Sequence, residues 1–353
     1  MCTRILNNLV EDYSVVGRNM DWRIPQTVQL IYLPKGAKRK GLSKRERQRL
    51  GVNKKQQTKW CAQYDSIGVF MGDETRGYSN VDGINERGVS INMLMDSDVS
   101  FGPDPSTTAT PKLGILRWGQ FVLDNFETAA QVADYFSQTD IELVSQLVPD
   151  SLDKECKVHL SVADAIGDSV VLEFIEGKFK VYHSKAYQVV TNNPNYPQQL
   201  TINQYWQYLW GQDSLAPNST PVYTVPGSNS AVQRFERASF YLSLSQPVEN
   251  PAQEAVAQTR GMLGLCVSPL QFNPKGLDSV SVTRWTGLAD AASKRYHFLN
   301  TYTLGPISLG FEAKFSNCQS LSLMTYRDGE VSNNFYYGDA QSQMAPCADP
   351  YLS

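Results

Sequence analysis

Cys2 stands directly behind the initiator methionine. Cysteine is small enough for that methionine to be removed, which would leave one residue carrying both a thiol and a free amine. With ordinary pKa values of about 8.5 for a thiol and about 7.7–8.0 for an α-amine, such a residue can pass a proton from its sulfur to its own nitrogen near neutral pH. It then acts as nucleophile and base together, with no histidine required. Taken alone, a second-position cysteine is equally well an incidental residue. The next strand changes the balance, because Gly17-Arg18-Asn19-Met20-Asp21-Trp22 offers a cation to favour a thiolate and a carboxylate to hold an amine. Arg18 and Asp21 are three apart, so on a regular strand they point to opposite faces, and both reach one thiol only through a bulge or bend. Structural ion pairing is the alternative for either residue.

Other chemistries lack their residues. There is no GxSxG, HExxH or GxGxxG, and the Gly36–Gly41 spacing is followed by Leu42 where a phosphate loop needs lysine. The three histidines, His159, His183 and His297, have no spacing that pairs them, and they read as structural or exposed rather than as a triad or a metal site. No cofactor and no metal are called for.

The elements that would position Cys2 begin with strand patterns over 2–6, 13–19 and 29–33, and GVSINML at 88–94 reads as a buried strand after an Asp82-Gly83 turn. The stretch 113–136 has helical spacing with a break at 125–128. Runs at 159–163, 169–175, 179–183 and 188–191 have the turn spacing of an antiparallel meander. Helical patterns follow at 198–210, 231–244 and 251–263, then strand patterns at 279–285, 297–304 and 321–326. Strands, helices, strands, helices, strands in that order predict a mainly antiparallel α+β layered fold.

The 353 residues are 41% hydrophobic and 19% charged, which excludes wholly disordered and collagen-like classes and provides for a sizeable core. A net charge of −3 gives no argument for nucleic acid or an anionic membrane as partner. No apolar run is long enough to span a bilayer, so the chain as written is expected in the cytoplasm, or in the periplasm if an export signal preceded it. Six cysteines, dozens of residues apart and without a CxxC, predict neither zinc nor a disulfide framework. The charge is uneven: Lys35 to Lys59 contains eleven basic residues and one acid, Glu46, giving +10 there and −13 elsewhere. That run reads as a solvated, mobile excursion between strands, with a segment bordering a pocket mouth and favouring anionic substrates as the alternative.

Five motifs taken together resemble the cholylglycine hydrolase family of penicillin V acylases and conjugated bile salt hydrolases, which are N-terminal nucleophile amidohydrolases. They are Met1-Cys2-Thr3-Arg4, the Gly17–Trp22 run, Asp82-Gly83-Ile84-Asn85-Glu86-Arg87-Gly88, YQVVTNNP at 187–194 and PGSNSAVQRFERA at 226–238. Val122–Phe126, Ser281–Trp285 and Asn92 fit the Gram-negative branch. The resemblance implies a four-layer αββα sandwich formed by a single domain over 1–353, with 35–59 as a basic loop insertion.

It also implies roles. Cys2 would be nucleophile and base, Asp21 would hold its amine, Arg18 would favour the thiolate, and Arg234 would complete the polar cluster. Asn192 would donate its side-chain amide to the oxyanion, with the backbone N–H of Met95 as second donor. Met20 and Met95 would meet the acyl group, and a flexible apolar Met95 suits a plain or aromatic acyl chain better than a hydroxylated steroid. The implied reaction is hydrolysis of a linear N-acyl amide, of penicillin V type and/or an N-acyl homoserine lactone. A conjugated bile salt is the alternative substrate, and a catalytically silent small-molecule-binding homologue is the alternative of another class. Relatives are often tetramers, so a homotetramer is the implied assembly.

Overall fold

The structure is a computed structural model that describes residues 2–74, 77–149, 151, 153–272, 281–327 and 329–352. In chain order the first elements are β1 (Cys2–Val10), β2 (Tyr13–Trp22), β3 (Val28–Leu33), β4 (Lys38–Lys40), α1 (Lys44–Arg49), β5 (Lys59–Cys61), β6 (Ser66–Asp73), β7 (Gly77–Asn85) and β8 (Ser90–Met95). The middle contains β9 (Lys112–Gly114), α2 (Trp118–Asn125), α3 (Ala129–Gln138), β10 (Glu142–Val144), β11 (Val158–Ala163), β12 (Ser169–Ile175), β13 (Lys178–His183) and β14 (Val189–Val190). The last part is α4 (Tyr196–Leu209), α5 (Ala231–Leu244), α6 (Pro251–Gly264), β15 (Val282–Asp290), β16 (Arg295–Asn300), β17 (Ile307–Gly310), β18 (Gln319–Arg327), β19 (Glu330–Asn333), β20 (Gly338–Asp339) and β21 (Ala345–Pro346).

Among the described residues one sheet has the order β14-β1-β2-β15-β16-β17-β20 and the other β13-β12-β11-β8-β7-β6-β3-β18-β19, with β21 also on β18. Helices α5 and α6 lie on β1 and β2, while α2 and α3 lie on β7, β8, β12 and β13. The two sheets face each other through β1 and β8 and through β7 with β15 and β16. This is the expected four-layer αββα arrangement, and it follows from sheets that are apolar on both faces and must be covered twice. Gly17 is required by that covering, since a Cβ there would collide with Leu263 of α6.

Several local expectations differ. Asp82-Gly83 is not a turn but lies inside β7, where Asp82 pairs with Val69 and Asn92. Leu113 belongs to a short strand that pairs in parallel with β10, and a 3-10 turn at Ile115–Arg117 precedes the α-helix, which begins at Trp118. The 188–191 run leaves the meander and pairs with β1 of the other sheet. Residues 279 and 280 of the expected 279–285 strand lie outside the described residues, and β15 continues to Asp290.

The basic segment is a folded unit rather than a mobile excursion. β4 pairs with β5, Ser43 and Glu46 form a capping box on α1, and Leu42 and Val52 are buried with Val144. Arg39 is buried between Asp124 and Asp349, with 2.8 Å to the latter. Its alternation hides one cation while its neighbours Lys38 and Lys40 stay exposed, which a charge count along the chain does not reveal. All six cysteines are free, although β18 and β21 bring the Cys318 and Cys347 sulfurs to 2.8 Å.

Candidate functional site

Strand alternation divides the site between two faces. Cys2 pairs with Met20 in the β1–β2 ladder, so Cys2, Arg18 and Met20 project between the two sheets. Thr3, Asn19 and Asp21 project to the opposite face, where α5 and α6 lie. The expectation that Arg18 and Asp21 would point apart is what the strand does. Arg18 Nη2 donates to Cys2 Sγ at 3.2 Å, whereas the Asp21 carboxylate accepts from Thr283 Oγ1 at 2.7 Å and lies 3.7 Å from Arg234 Nη1. A bulge does occur, but in β15, where Arg284 is the extra residue between Thr283 and Trp285. It turns Trp285 to the inter-sheet face, under the Arg18 guanidinium at 4.8 Å.

Arg18 is held from several sides. Its Nη2 also donates to the Met93 carbonyl at 2.8 Å, and Nη1 lies 3.6 Å from Asp82 Oδ2. Asp82 accepts from Asn92 Nδ2 and from the Tyr296 hydroxyl, each at 2.9 Å. Burial opposes the charge on Arg18, but Cys2 and Asp82 beside it prevail and raise the guanidinium above its ordinary value. Burial pushes the Asp82 carboxyl up to about 6 against the pull of Arg18, Asn92 and Tyr296. Asp21 is likewise raised by burial, against Arg234 and Thr283. Asp82, Asn92, Trp285 and Tyr296 were not read as site residues from sequence. The inward alternation of Asp82 within a strand was the signal, masked by reading Asp-Gly as a turn.

Met1 lies outside the described residues. The Cys2 backbone nitrogen donates to Asn192 Oδ1 at 2.6 Å, and Arg234 Nη1 donates to the Cys2 carbonyl. Arg234 Nη2 also donates to Asn192 Oδ1, at 3.1 Å, so this oxygen's identity as acceptor is fixed by two donors. Asn192 Nδ2 donates to the Met95 carbonyl at 2.7 Å. Asn192 arrives here because β14, two residues earlier, is an edge strand on β1. On β8, Met95 is opposite Val158, and Asp96 N donates to the Lys157 carbonyl. That register turns the Met95 N–H away from β11, toward the side on which the Met93 and Met95 carbonyls take Arg18 and Asn192. The Met95 N–H is thus on the same side of β8 as the carbonyl that takes the Asn192 amide.

The thiol opens into a narrow apolar pocket lined by the methionines Met20, Met71, Met93 and Met95 together with Trp22 and Cys156. No residue of 35–59 lines it, so the pocket-border reading of the basic segment does not hold. The reason is that the segment packs on β9 and the α2 end, through Gly41 and Arg39, away from Cys2. Of the histidines, His183 pairs with Asp168 at the surface and His159 is buried with Asp96, the latter in a cluster with Glu173 whose ligand atoms lie within 4.8 Å of one another. Among the described residues no helix is long and apolar enough to cross a membrane.

This arrangement offers a sulfur beside a cation, a side-chain amide bridging Cys2 and Met95, and an apolar pocket beside the thiol. Comparison with known proteins agrees with that chemistry. The chain is 29% identical to a penicillin V acylase of Pectobacterium atrosepticum over 99% of its own length and 91% of the relative's. Its structure superposes on a penicillin V acylase from Agrobacterium tumefaciens with a TM-score of 0.80 and 27% identity, covering 99% of this chain and 98% of that one. A conjugated bile acid hydrolase from Clostridium perfringens shares the fold, with a TM-score of 0.71 and 16% identity over 94% and 99% of the two chains. With residues 2–319 matching the linear amide C–N hydrolases of the choloylglycine hydrolase type, the chain belongs to that family and is a linear amide C–N hydrolase.

Proposed function

We propose that removal of Met1 makes Cys2 the N-terminal residue and that its thiolate attacks the carbonyl of a small N-acyl amide. Arg18 at 3.2 Å supports the sulfur anion, and the new amine takes the thiol proton and returns it to the leaving amine. Asn192 Oδ1 and Arg234 hold the Cys2 backbone at its nitrogen and its carbonyl, and Asp21 on the far face fixes Arg234. The developing oxyanion is received by Asn192 Nδ2 and the Met95 N–H. A thioester forms on Cys2, the amine departs, and water restores the thiol.

The observation that carries this reading is the single Asn192 side chain joining the Cys2 nitrogen to the Met95 carbonyl at the end of the apolar cavity. The cavity supports an aryloxyacetyl or plain acyl group, as in penicillin V or an N-acyl homoserine lactone. Among its lining side chains only Ser79 adds a hydroxyl, and a hydroxylated steroid would leave its own hydroxyls unpaired, which disfavours the bile salt alternative. Met20 and Met95 border the acyl group in this reading. The chain acts as one N-terminal nucleophile hydrolase domain over 1–353 and assembles as a homotetramer, which light scattering on the eluted protein checks. Hydrolysis of a panel of acyl amides by the protein and by Cys2→Ala, with the N-terminal mass recorded, tests the function. Turnover by Cys2→Ala would refute it.

A further inference from the structure

Behind the two oxyanion donors lie three buried titratable side chains that the reaction above does not use. Asp96, His159 and Glu173 come from β8 or its end, β11 and β12, three adjacent strands of one sheet, and all three are buried. Each takes hold of the same short segment, Thr191 to Tyr196, which contains Asn192. His159 Nε2 lies 2.9 Å from the Thr191 carbonyl, which can only accept, so this nitrogen is the donor. Asp96 Oδ1 accepts from Asn193 Nδ2 at 2.9 Å, and Ser97 N donates to Asn193 Oδ1 at 3.1 Å. Glu173 Oε1 accepts from the Tyr196 backbone N–H at 2.6 Å, at the start of α4. His159 Nδ1 faces Asp96 Oδ2 at 3.6 Å, and the ligand atoms of the three side chains lie within 4.8 Å of one another.

Asp96 is also the residue after Met95, and His159 pairs with Leu94, the residue before it. Asp96 at the end of β8 and His159 on the adjacent β11 therefore tie the neighbourhood of one N–H donor to the segment that supplies the other, and Glu173 on β12 holds the far end of that segment. Two donors on separate elements must be held to within a fraction of an ångström for an oxyanion to sit between them. Resting on the assignment of Asn192 and Met95 as those donors, we infer that Asp96, His159 and Glu173 form a clamp that sets the distance between the two halves of the oxyanion hole. They are positioning residues: none of them lines the cavity or touches Cys2.

The test compares His159→Leu, which removes the donor to Thr191, with His159→Gln, which keeps an N–H, and with Asn193→Ala, which cuts the tie to Asp96. For each, kcat and KM are measured on an aryloxyacetyl anilide, and the rate of Cys2 alkylation by iodoacetamide, which needs no oxyanion hole, is measured beside them. His159→Leu and Asn193→Ala should lower kcat on the order of 10- to 100-fold, with KM and the alkylation rate within about threefold of the parent. His159→Gln should recover most of that loss. In an Asn192→Ala background His159→Leu should cost less than about twofold more, because there is no longer a donor to place.

Undiminished kcat in His159→Leu and Asn193→Ala beside a crippled Asn192→Ala overturns the clamp alone. A loss that multiplies in the Asn192→Ala background, or that falls equally on alkylation, also overturns it, since the cluster is then only structural. Near-normal turnover by Asn192→Ala overturns the oxyanion assignment and the clamp with it. Stoichiometric zinc or another divalent metal in the purified protein, lost together with activity on chelation, overturns the clamp in favour of a metal site at these three residues.

Discussion

Replacing Asn192 by aspartate separates the two things its side chain does. Its Oδ1 accepts from the Cys2 nitrogen at 2.6 Å and from Arg234 Nη2 at 3.1 Å, and a carboxylate of the same shape keeps both bonds. Its Nδ2 donates at 2.7 Å to the Met95 carbonyl, and a carboxylate loses this donor. One donor to an oxyanion is worth about 2.7–4 kcal/mol, a factor of about 10² to 10³ in kcat. The new charge would also stand about 3 Å from the developing oxyanion, adding about 5 kcal/mol of repulsion at an effective dielectric of about 20, part of which Arg234 offsets. Asn192→Asp should therefore turn over at least as slowly as Asn192→Ala, while iodoacetamide alkylates its Cys2 at a rate close to that of the parent. Initial rates on a chromogenic aryloxyacetyl anilide, with alkylation followed by intact mass, measure both. A kcat for Asn192→Asp within tenfold of the parent would refute the assignment of Nδ2 as oxyanion donor.

Other consequences are testable in the same preparations. Asp82 is raised by burial to about 6 from an ordinary value near 3.8, so the folded protein keeps a proton that the unfolded chain has released between about pH 4 and pH 6. Stability should fall by about 3 kcal/mol more across that rise in pH than it does in Asp82→Asn, and urea midpoints at pH 4, 5, 6 and 7 for the two proteins decide it; parallel curves would contradict the assignment. Gly287→Ala would place a Cβ against the Tyr296 hydroxyl that donates to Asp82, and should cost about 1–3 kcal/mol in thermal unfolding. Met95→Ala keeps the backbone donor but removes part of the pocket wall, so kcat/KM should fall about 10-fold (about 1.4 kcal/mol) for a long or aromatic acyl chain and little for acetyl amides, below the full burial of a methionine because Met95 is half-buried. Arg39→Met strands Asp124 and Asp349 without their cation and should destabilise by about 3–5 kcal/mol in urea.

The sequence made the layered class legible because its strands and long helices have strong, local periodicity: α5 and α6 begin where their patterns begin, at Ala231 and Pro251. The pairing of Cys2 with Arg18 came from the family resemblance, and strand alternation accounts for it only after the structure shows Met20 opposite Cys2. Register could not be read. The bulge at Arg284 brings Trp285 under Arg18, and the departure of 189–190 to the other sheet brings Asn192 to Cys2; both depend on pairings across more than a hundred residues. Arg39 and Asp82 show the other failure: their composition signals, a basic run and an Asp-Gly pair, describe surface, while their partners Asp124, Asp349 and Arg18 take them inside.

The central claim is that the second residue becomes the first and bears the acyl group. Purified protein quenched in acid during turnover of an aryloxyacetyl amide, then digested and analysed by mass, reports both facts in one spectrum. The account predicts a chain lacking Met1 with the acyl mass as a thioester on its N-terminal Cys2 peptide, lost on treatment with hydroxylamine. An adduct on any other peptide, or full activity in protein that retains Met1, would contradict it.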